Sequence, residues 1–126
     1  MAAQTPNVSG HWIGGERVAG GEGRIDVVDP ATGEVVAAVP AGTPADVDRA
    51  VTAAQAAFRD WSLVDVAERA AVVTRISEGL KARGAEIAAA VTSEMGSPIA
   101  FSRAVQAGLP VHTSAGVAGL ATSFPW

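Results

Sequence analysis

Residues 27–61 decide the fold and read VVDPATGEVVAAVPAGTPADVDRAVTAAQAAFRDW. Two short apolar runs, residues 25–28 and 35–39, flank a segment that begins at Asp29 and ends at Gly33. Aspartate, proline and glycine reverse a chain at low cost, and runs of β-branched residues favour strands. This part of the sequence therefore predicts a β-hairpin with a tight loop.

An amphipathic helix is predicted directly after this hairpin. Thr43 offers a hydroxyl N-cap, Pro44 takes the first helical position and Asp46 supplies an acid at the third. Apolar residues then recur at three- and four-residue spacing, on one face: Val47, Ala50, Val51, Ala54, Ala57, Phe58 and Trp61. We expect that face to pack on another part of the protein.

The residues before this stretch predict a second, smaller hairpin. Residues 11–13 and 16–18 are separated by Gly14 and Gly15, which suit a two-residue turn. Residues 1–10 are small and polar, so we expect a disordered lead-in there and the folded part over 11–126. The later glycines, at 20, 21 and 23, have the wrong spacing for a dinucleotide fingerprint and lead into a strand, which favours turns.

Helical patterns fill the remainder of the chain. Asp65 is a candidate N-cap for a second helix, whose apolar stripe consists of Val66, Val73, Ile76 and Leu80, and Gly84 suits a left-handed C-cap. A third helix is predicted over 86–95 with Ile87, Ala90 and Val91 inward. A fourth begins at Ile99, and Pro110 is expected to break it into two pieces.

Composition and charge narrow the classes of function. A chain of 126 residues with 48% hydrophobic residues suits one domain or part of one. The net charge is −4 and basic residues do not cluster, which argues against nucleic acid and membrane partners. The absence of cysteine excludes a disulfide framework, a thiolate zinc site and a thiol nucleophile within these residues. With neither a signal-like start nor a long apolar run, a cytoplasmic location is expected.

The order and spacing of several motifs resemble the amino-terminal part of the NAD(P)-dependent aldehyde dehydrogenases. These motifs are the WIGG opening, PATGE in a turn, DVDRAV, the helix end AAQAAFRDW, ERA, and EMGSP. The resemblance begins at about His11 and thins after Pro98. It implies an α/β fold in which two short β-hairpins and about four α-helices flank a dinucleotide-binding sheet that is missing from this chain.

The resemblance also implies a chemistry. Members oxidise an aldehyde to a carboxylic acid with a cysteine nucleophile, a glutamate general base and a bound NAD or NADP. In the family these groups lie downstream of the matched region, so no catalytic or cofactor-binding residue carries over. We expect the chain alone to be inactive and to bind no cofactor. Its expected partner is the remainder of the aldehyde dehydrogenase polypeptide, and the parent enzyme is expected to be a homo-oligomer.

One site carries over from the resemblance, a monovalent cation site. Some members hold such an ion with backbone carbonyls that correspond to Val27 and Val28 and with an acid that corresponds to Glu94. Oxygen ligands of this kind suit hard cations. The alternative interpretation of Glu94 is a solvated residue near a helix end. His11 and His112 lack acids at ligand spacing and are interpreted as ordinary histidines.

Two other classes of function fit the same residues. The chain could be a free-standing structural or protein-interaction module, or a truncated product without function. The helix faces centred on Val51, Ile76 and Val91 lack part of their partner surface in the fragment interpretation. That interpretation predicts a chain that is unstable or self-associating alone, whereas a module folds by itself.

Overall fold

The computed structural model of this chain describes residues 10–126. The predicted lead-in therefore lies outside the described residues, apart from Gly10, which is buried. The chain divides into one unit that ends at Leu63 and another of residues Val64–Trp126.

Two antiparallel hairpins open the first unit, as the sequence predicts. Strand β1 (His11–Ile13) pairs with β2 (Glu16–Val18), and Gly14 and Gly15 make the turn with φ values of 63° and 83°. Strand β3 (Arg24–Val28) pairs with β4 (Val35–Pro40). The Asp29 carboxylate accepts a hydrogen bond of 2.8 Å from the Ala31 N–H, which stabilises the predicted tight loop.

A β-bulge interrupts the second hairpin near its loop. Val27 pairs with Ala37, but Val28 pairs with Val35, so Val36 is the extra residue of β4. A bulge leaves one residue out of the ladder and bends the strand. The irregularity lies beside the two valines whose carbonyls the family resemblance implicates.

Helix α1 (Pro44–Trp61) begins with the predicted cap. The Asp46 carboxylate accepts hydrogen bonds from the Thr43 N–H at 2.8 Å and from the Thr43 hydroxyl at 2.7 Å, and it pairs with Arg49. The Asp46 N–H donates in return to the Thr43 hydroxyl oxygen at 3.2 Å. Hydrogen bonds from the Thr43 side chain and backbone, and then from Arg49, lower the pKa of Asp46.

The apolar face of α1 stays largely in contact with solvent. Phe58 is 65% exposed and Val47 is 60% exposed, and Val51 and Trp61 are exposed as well. The amphipathic pattern is confirmed, but the packing predicted for it is not made within the described residues.

The second unit is helical. Helix α2 (Val66–Ala82), helix α3 (Gly84–Met95) and the short α4 (Ile99–Phe101) are followed by a π-helical turn, Ser102–Gln106, and by helix α5 (Gly108–Ala121). Helix α2 packs along α5, and α3 packs on the π turn. The Asp65 carboxylate accepts from the Ala67 N–H at 2.8 Å and caps α2 as predicted.

The buried face of α2 differs from the predicted stripe. Ala70 and Ser77 are the buried residues, whereas Ile76 is 52% exposed. Positions 66, 70, 73, 77 and 80 lie on one face of a helix, and Ile76 stands about 80° from the centre of that face. The buried residues of this face are thus small, one apolar (Ala70) and one polar (Ser77). A pattern of large apolar side chains in the sequence does not identify them.

The junction between α2 and α3 also differs from the one predicted from the sequence. Gly84 was predicted to be a left-handed C-cap, but it does not have positive φ, and α3 begins at this residue. Arg83 alone joins the two helices, and its guanidinium binds the Glu86 carboxylate with bonds of 2.8 and 2.6 Å. The left-handed glycine is instead Gly96, which ends α3 with φ of 69°, as its position before Pro98 predicts.

The predicted fourth helix is indeed broken. Pro110 is the third residue of α5, where a helix needs no amide donor. The preceding turn widens, and the Ala107 N–H donates to the Ser102 carbonyl at 2.9 Å, a spacing of five residues. Ser102 is fully buried and its hydroxyl accepts a hydrogen bond of 2.9 Å from Thr92. This bond ties the π turn to α3.

Small side chains make up the core of the described residues. The buried apolar residues are four alanines, at positions 70, 88, 107 and 118, while twenty large apolar side chains are exposed. Within residues 10–126, no helix is both long and apolar enough to cross a membrane. Much of the apolar surface of both units therefore has no cover within the part of the chain described.

We predict that Gly10→Ala destabilises the chain by about 1–3 kcal/mol, because the new Cβ would lie 2.3 Å from the Val18 carbonyl oxygen and backbone would have to move. Gly79→Ala in α2 is the matched control, since nothing lies within 4 Å of its Cβ position. The control should stabilise by up to about 1 kcal/mol. Thermal unfolding of the intact polypeptide that carries these residues, followed by circular dichroism, measures both, and equal midpoints would contradict the prediction.

A second prediction concerns the stability of the fold at low pH. Because the folded-state pKa of Asp46 is lowered, its carboxylate stabilises the fold fully above the unfolded pKa of about 4, and that contribution is lost as the pH falls towards the folded value. Asp46→Asn should therefore be less stable than the wild type at pH 7, and the difference should be smaller at about pH 3, where part of the contribution has been lost. Urea titrations of the intact polypeptide that carries these residues, at both pH values, test this, with Asp48→Asn, exposed on the same helix, as the control.

Candidate functional site

The three residues predicted to bind a cation are divided between the two units, with both valines in the first and the glutamate in the second. Val27 and Val28 belong to β3, where the bulge disturbs the ladder, and Val28 is exposed. Glu94 lies in the last turn of α3 and is also exposed. Carbonyl and carboxylate oxygens are suitable donors for a hard cation. The cation site stays a prediction.

The titratable residues of the described chain show little that resembles a catalytic centre. Within residues 10–126, no group of three or more histidine, cysteine, aspartate or glutamate side chains is placed to hold a metal ion. His11 sits in the first unit, where its ring lies against Gly20 and Gly42, and its Nε2 is buried without a hydrogen-bond partner. His112 is exposed on α5.

The Asp46 carboxylate is the buried acid of the described residues. Its contacts indicate a structural role, because it accepts hydrogen bonds from the cap residue Thr43 and forms an ion pair with Arg49 on the same helix. These partners lower the pKa of Asp46 and keep it ionised near neutrality. An acid of that kind is a poor proton donor, so we assign it to helix capping.

The second unit contains a groove of about 910 Å³, which we call the α2–α5 groove. Its lining includes Ser77 and Lys81 of α2, Arg103 of the π turn, Ala107, and Val111 and Gly119 of α5. The Ser77 hydroxyl donates to the Val111 carbonyl at 3.0 Å and so fixes α2 against α5 at this position. Ser77 and Ala107 are buried, while Lys81 and Arg103 are exposed at its edges.

Sequence reasoning did not find this groove. Its residues come from α2, the start of α3, the π turn and α5, and no short motif joins them. The one available signal was the run of small residues from 107 to 121, which indicates close packing without saying on what. The groove can accommodate an apolar group beside a negative charge, because apolar side chains and cationic ones both line it.

Comparison with known families identifies the chain's relatives. The sequence-family model of the aldehyde dehydrogenase family matches residues 18–124 of this chain. Among curated proteins, malonate-semialdehyde dehydrogenase 2 of Bacillus thuringiensis is 39% identical over 97 residues. That match covers 76% of this chain and 20% of the relative.

Solved structures agree with this comparison. Aldehyde dehydrogenase C of Pseudomonas syringae, a mutant in complex with NAD+ and octanal, matches 99% of this chain at 38% identity with a TM-score of 0.93. PnpE, in complex with nicotinamide adenine dinucleotide, matches 93% at 30% identity with a TM-score of 0.87. This chain spans 26% of the first protein and 24% of the second.

We predict that a potassium salt raises the unfolding temperature of the intact polypeptide that carries these residues, relative to a choline salt at equal ionic strength. Binding to the folded state alone stabilises it by mass action. Glu94→Gln should remove most of this difference, and Glu68→Gln, an exposed acid of α2, should preserve it. Identical unfolding temperatures in the two salts for the wild type would argue against the cation site.

Proposed function

The chain belongs to the aldehyde dehydrogenase family, and from that premise we propose that it forms the amino-terminal part of an enzyme that oxidises an aldehyde to a carboxylic acid. The observation that carries the proposal is the match of 99% of the chain, with a TM-score of 0.93, to an aldehyde dehydrogenase with bound NAD+ and octanal.

In the proposed enzyme this chain has a supporting role. Aldehyde oxidation in the family requires a cysteine thiolate, and the chain contains no cysteine. The nucleophile therefore has to come from the part of the fold that these residues do not span, which is about three quarters of aldehyde dehydrogenase C. We propose that this chain alone is inactive.

The proposed cofactor is NAD or NADP, which accepts the hydride. Support comes from the NAD+ bound by aldehyde dehydrogenase C and from the nicotinamide adenine dinucleotide bound by PnpE. The hairpins and helices of this chain would flank the cofactor-binding sheet and hold it in place, and we assign no direct contact with the cofactor to them.

The proposed partner is the remainder of the aldehyde dehydrogenase polypeptide, within a cytoplasmic homo-oligomer. Support comes from the surface of the described residues. Phe58 and Trp61 on α1 and Leu120 on α5 are exposed apolar side chains, and a core of four alanines buries little apolar area. Each large apolar side chain that becomes covered contributes about 1.5–3 kcal/mol, so contact with the remainder should stabilise this part of the fold.

The test recovers the polypeptide from its native source with an antibody raised against residues 46–61. We expect the bound material to reduce NAD+ or NADP+ in the presence of octanal or malonate semialdehyde, measured by absorbance at 340 nm, and the free peptide to block recovery of the activity. Recovery of the intact polypeptide without aldehyde-dependent reduction would contradict the proposal. A 126-residue protein that unfolds cooperatively as a monomer would favour the free-standing module.

A further inference from the structure

The loop between β3 and β4 begins with the one Asp–Pro bond of the sequence, Asp29–Pro30. The other prolines follow threonine, valine, serine, leucine or phenylalanine. The nitrogen of Pro30 carries no hydrogen. The usual ring closure of an aspartate, attack of the following backbone nitrogen on the side-chain carboxyl, is therefore closed at Asp29. The nearest group with which this carboxyl can react is the main-chain carbonyl carbon of its own residue.

The loop positions both carbonyl groups of Asp29. The side-chain carboxyl accepts a hydrogen bond of 2.8 Å from the Ala31 N–H, and the main-chain carbonyl accepts one of 2.7 Å from the Gly33 N–H. Gly33 has a φ of 75°, which glycine adopts at low cost, so the second bond forms without strain. A donor at the main-chain oxygen stabilises the negative charge that forms there when a nucleophile adds to the carbonyl carbon.

The same loop is open to water and acid. Pro30 and the residues that follow it as far as Glu34 are exposed. The other charged residues of the hairpin are Arg24 and Asp26 on β3, since β4 carries none. Among residues 10–126, no ion pair involves Asp29 or any of these three charged residues. The Asp29 carboxyl is therefore available as a nucleophile.

We propose that the Asp29–Pro30 bond is a self-cleavage site that acid activates. An oxygen of the Asp29 carboxyl adds to the main-chain carbonyl carbon of the same residue, and the C–N bond to Pro30 breaks as the carboxyl proton passes to the proline nitrogen. The products are a cyclic anhydride at Asp29 and a free secondary amine at Pro30. Water then opens the anhydride to a carboxyl-terminal aspartate, so the net reaction consumes one water for one peptide bond.

Three features of the hairpin determine how this cleavage proceeds. The nucleophile and the carbonyl belong to one residue, which removes the entropic cost of bringing them together. The departing nitrogen must take a proton, so the rate rises as the pH falls. Strands β3 and β4 stay paired on either side of the cut, Val27 with Ala37 and Val28 with Val35, so the new ends remain together while the polypeptide is folded.

The experiment follows this bond in the intact polypeptide that carries these residues. The polypeptide is held in buffers between about pH 3 and about pH 5 and then unfolded, and mass spectrometry quantifies the ends formed at positions 29 and 30. We expect these ends to accumulate faster as the pH falls.

A pair of variants identifies the nucleophile. Asp29→Asn should form the new ends at least about tenfold more slowly, because its amide is a weaker nucleophile while its oxygen still accepts from the Ala31 N–H. Asp26→Asn is the matched control, since it removes an exposed acid of β3 that no proline follows, and it should cleave at the wild-type rate. Equal rates for the wild type and Asp29→Asn, or absence of new ends from the wild type, would overturn the self-cleavage.

The contribution of the loop is measured at the lowest pH at which circular dichroism shows the polypeptide folded. At that pH, cleavage should be faster without urea than in enough urea to unfold the chain, because unfolding takes the Gly33 N–H away from the Asp29 carbonyl. Equal or faster cleavage in urea would overturn this role of the loop. None of these outcomes bears on the proposed function, which is tested separately by aldehyde-dependent activity.

Discussion

The close approach of α2 and α5 is the contact on which the second unit depends. Small residues make it possible, since Ala70 and Ser77 are the buried residues of α2 and Ala118 is the buried residue of α5. The Ser77 hydroxyl reaches the Val111 carbonyl at 3.0 Å, a bond between side chain and backbone that works only at short range. A larger residue at Ser77 would separate the helices and remove both the bond and the floor of the groove beside it.

Local features of the fold were largely readable from the sequence. Thr43, Pro44 and Asp46 place the start of α1, and the Gly14–Gly15 dipeptide places the first turn, because each depends only on residues a few positions away. Ile76 and Gly84 were misassigned for the opposite reason. Which face of α2 is buried depends on α5, and how α2 ends depends on the helix that follows it.

The candidate site was less predictable than the fold. Val27, Val28 and Glu94 came from the family resemblance alone, and no pattern in the residues themselves would have joined them. The groove needs helices distant in sequence to meet, and its cations, Lys81 and Arg103, look like ordinary surface residues in the sequence. The π turn could not be foreseen either, since residues 102–106 carry no composition that distinguishes it from an α-helix.

The π turn has a geometric consequence for α5. A π turn contains one residue more than the α-helical turn it replaces, and an α-helix advances about 100° per residue. The extra residue therefore rotates α5 by about that angle about its own axis, compared with an uninterrupted helix that starts at Ile99. Which side chains α5 turns towards α2 is thus fixed by a change in local residue count, held in place by the buried hydroxyl of Ser102. The number of residues in the π turn therefore decides which face of α5 is directed towards α2, independently of which amino acids α5 contains.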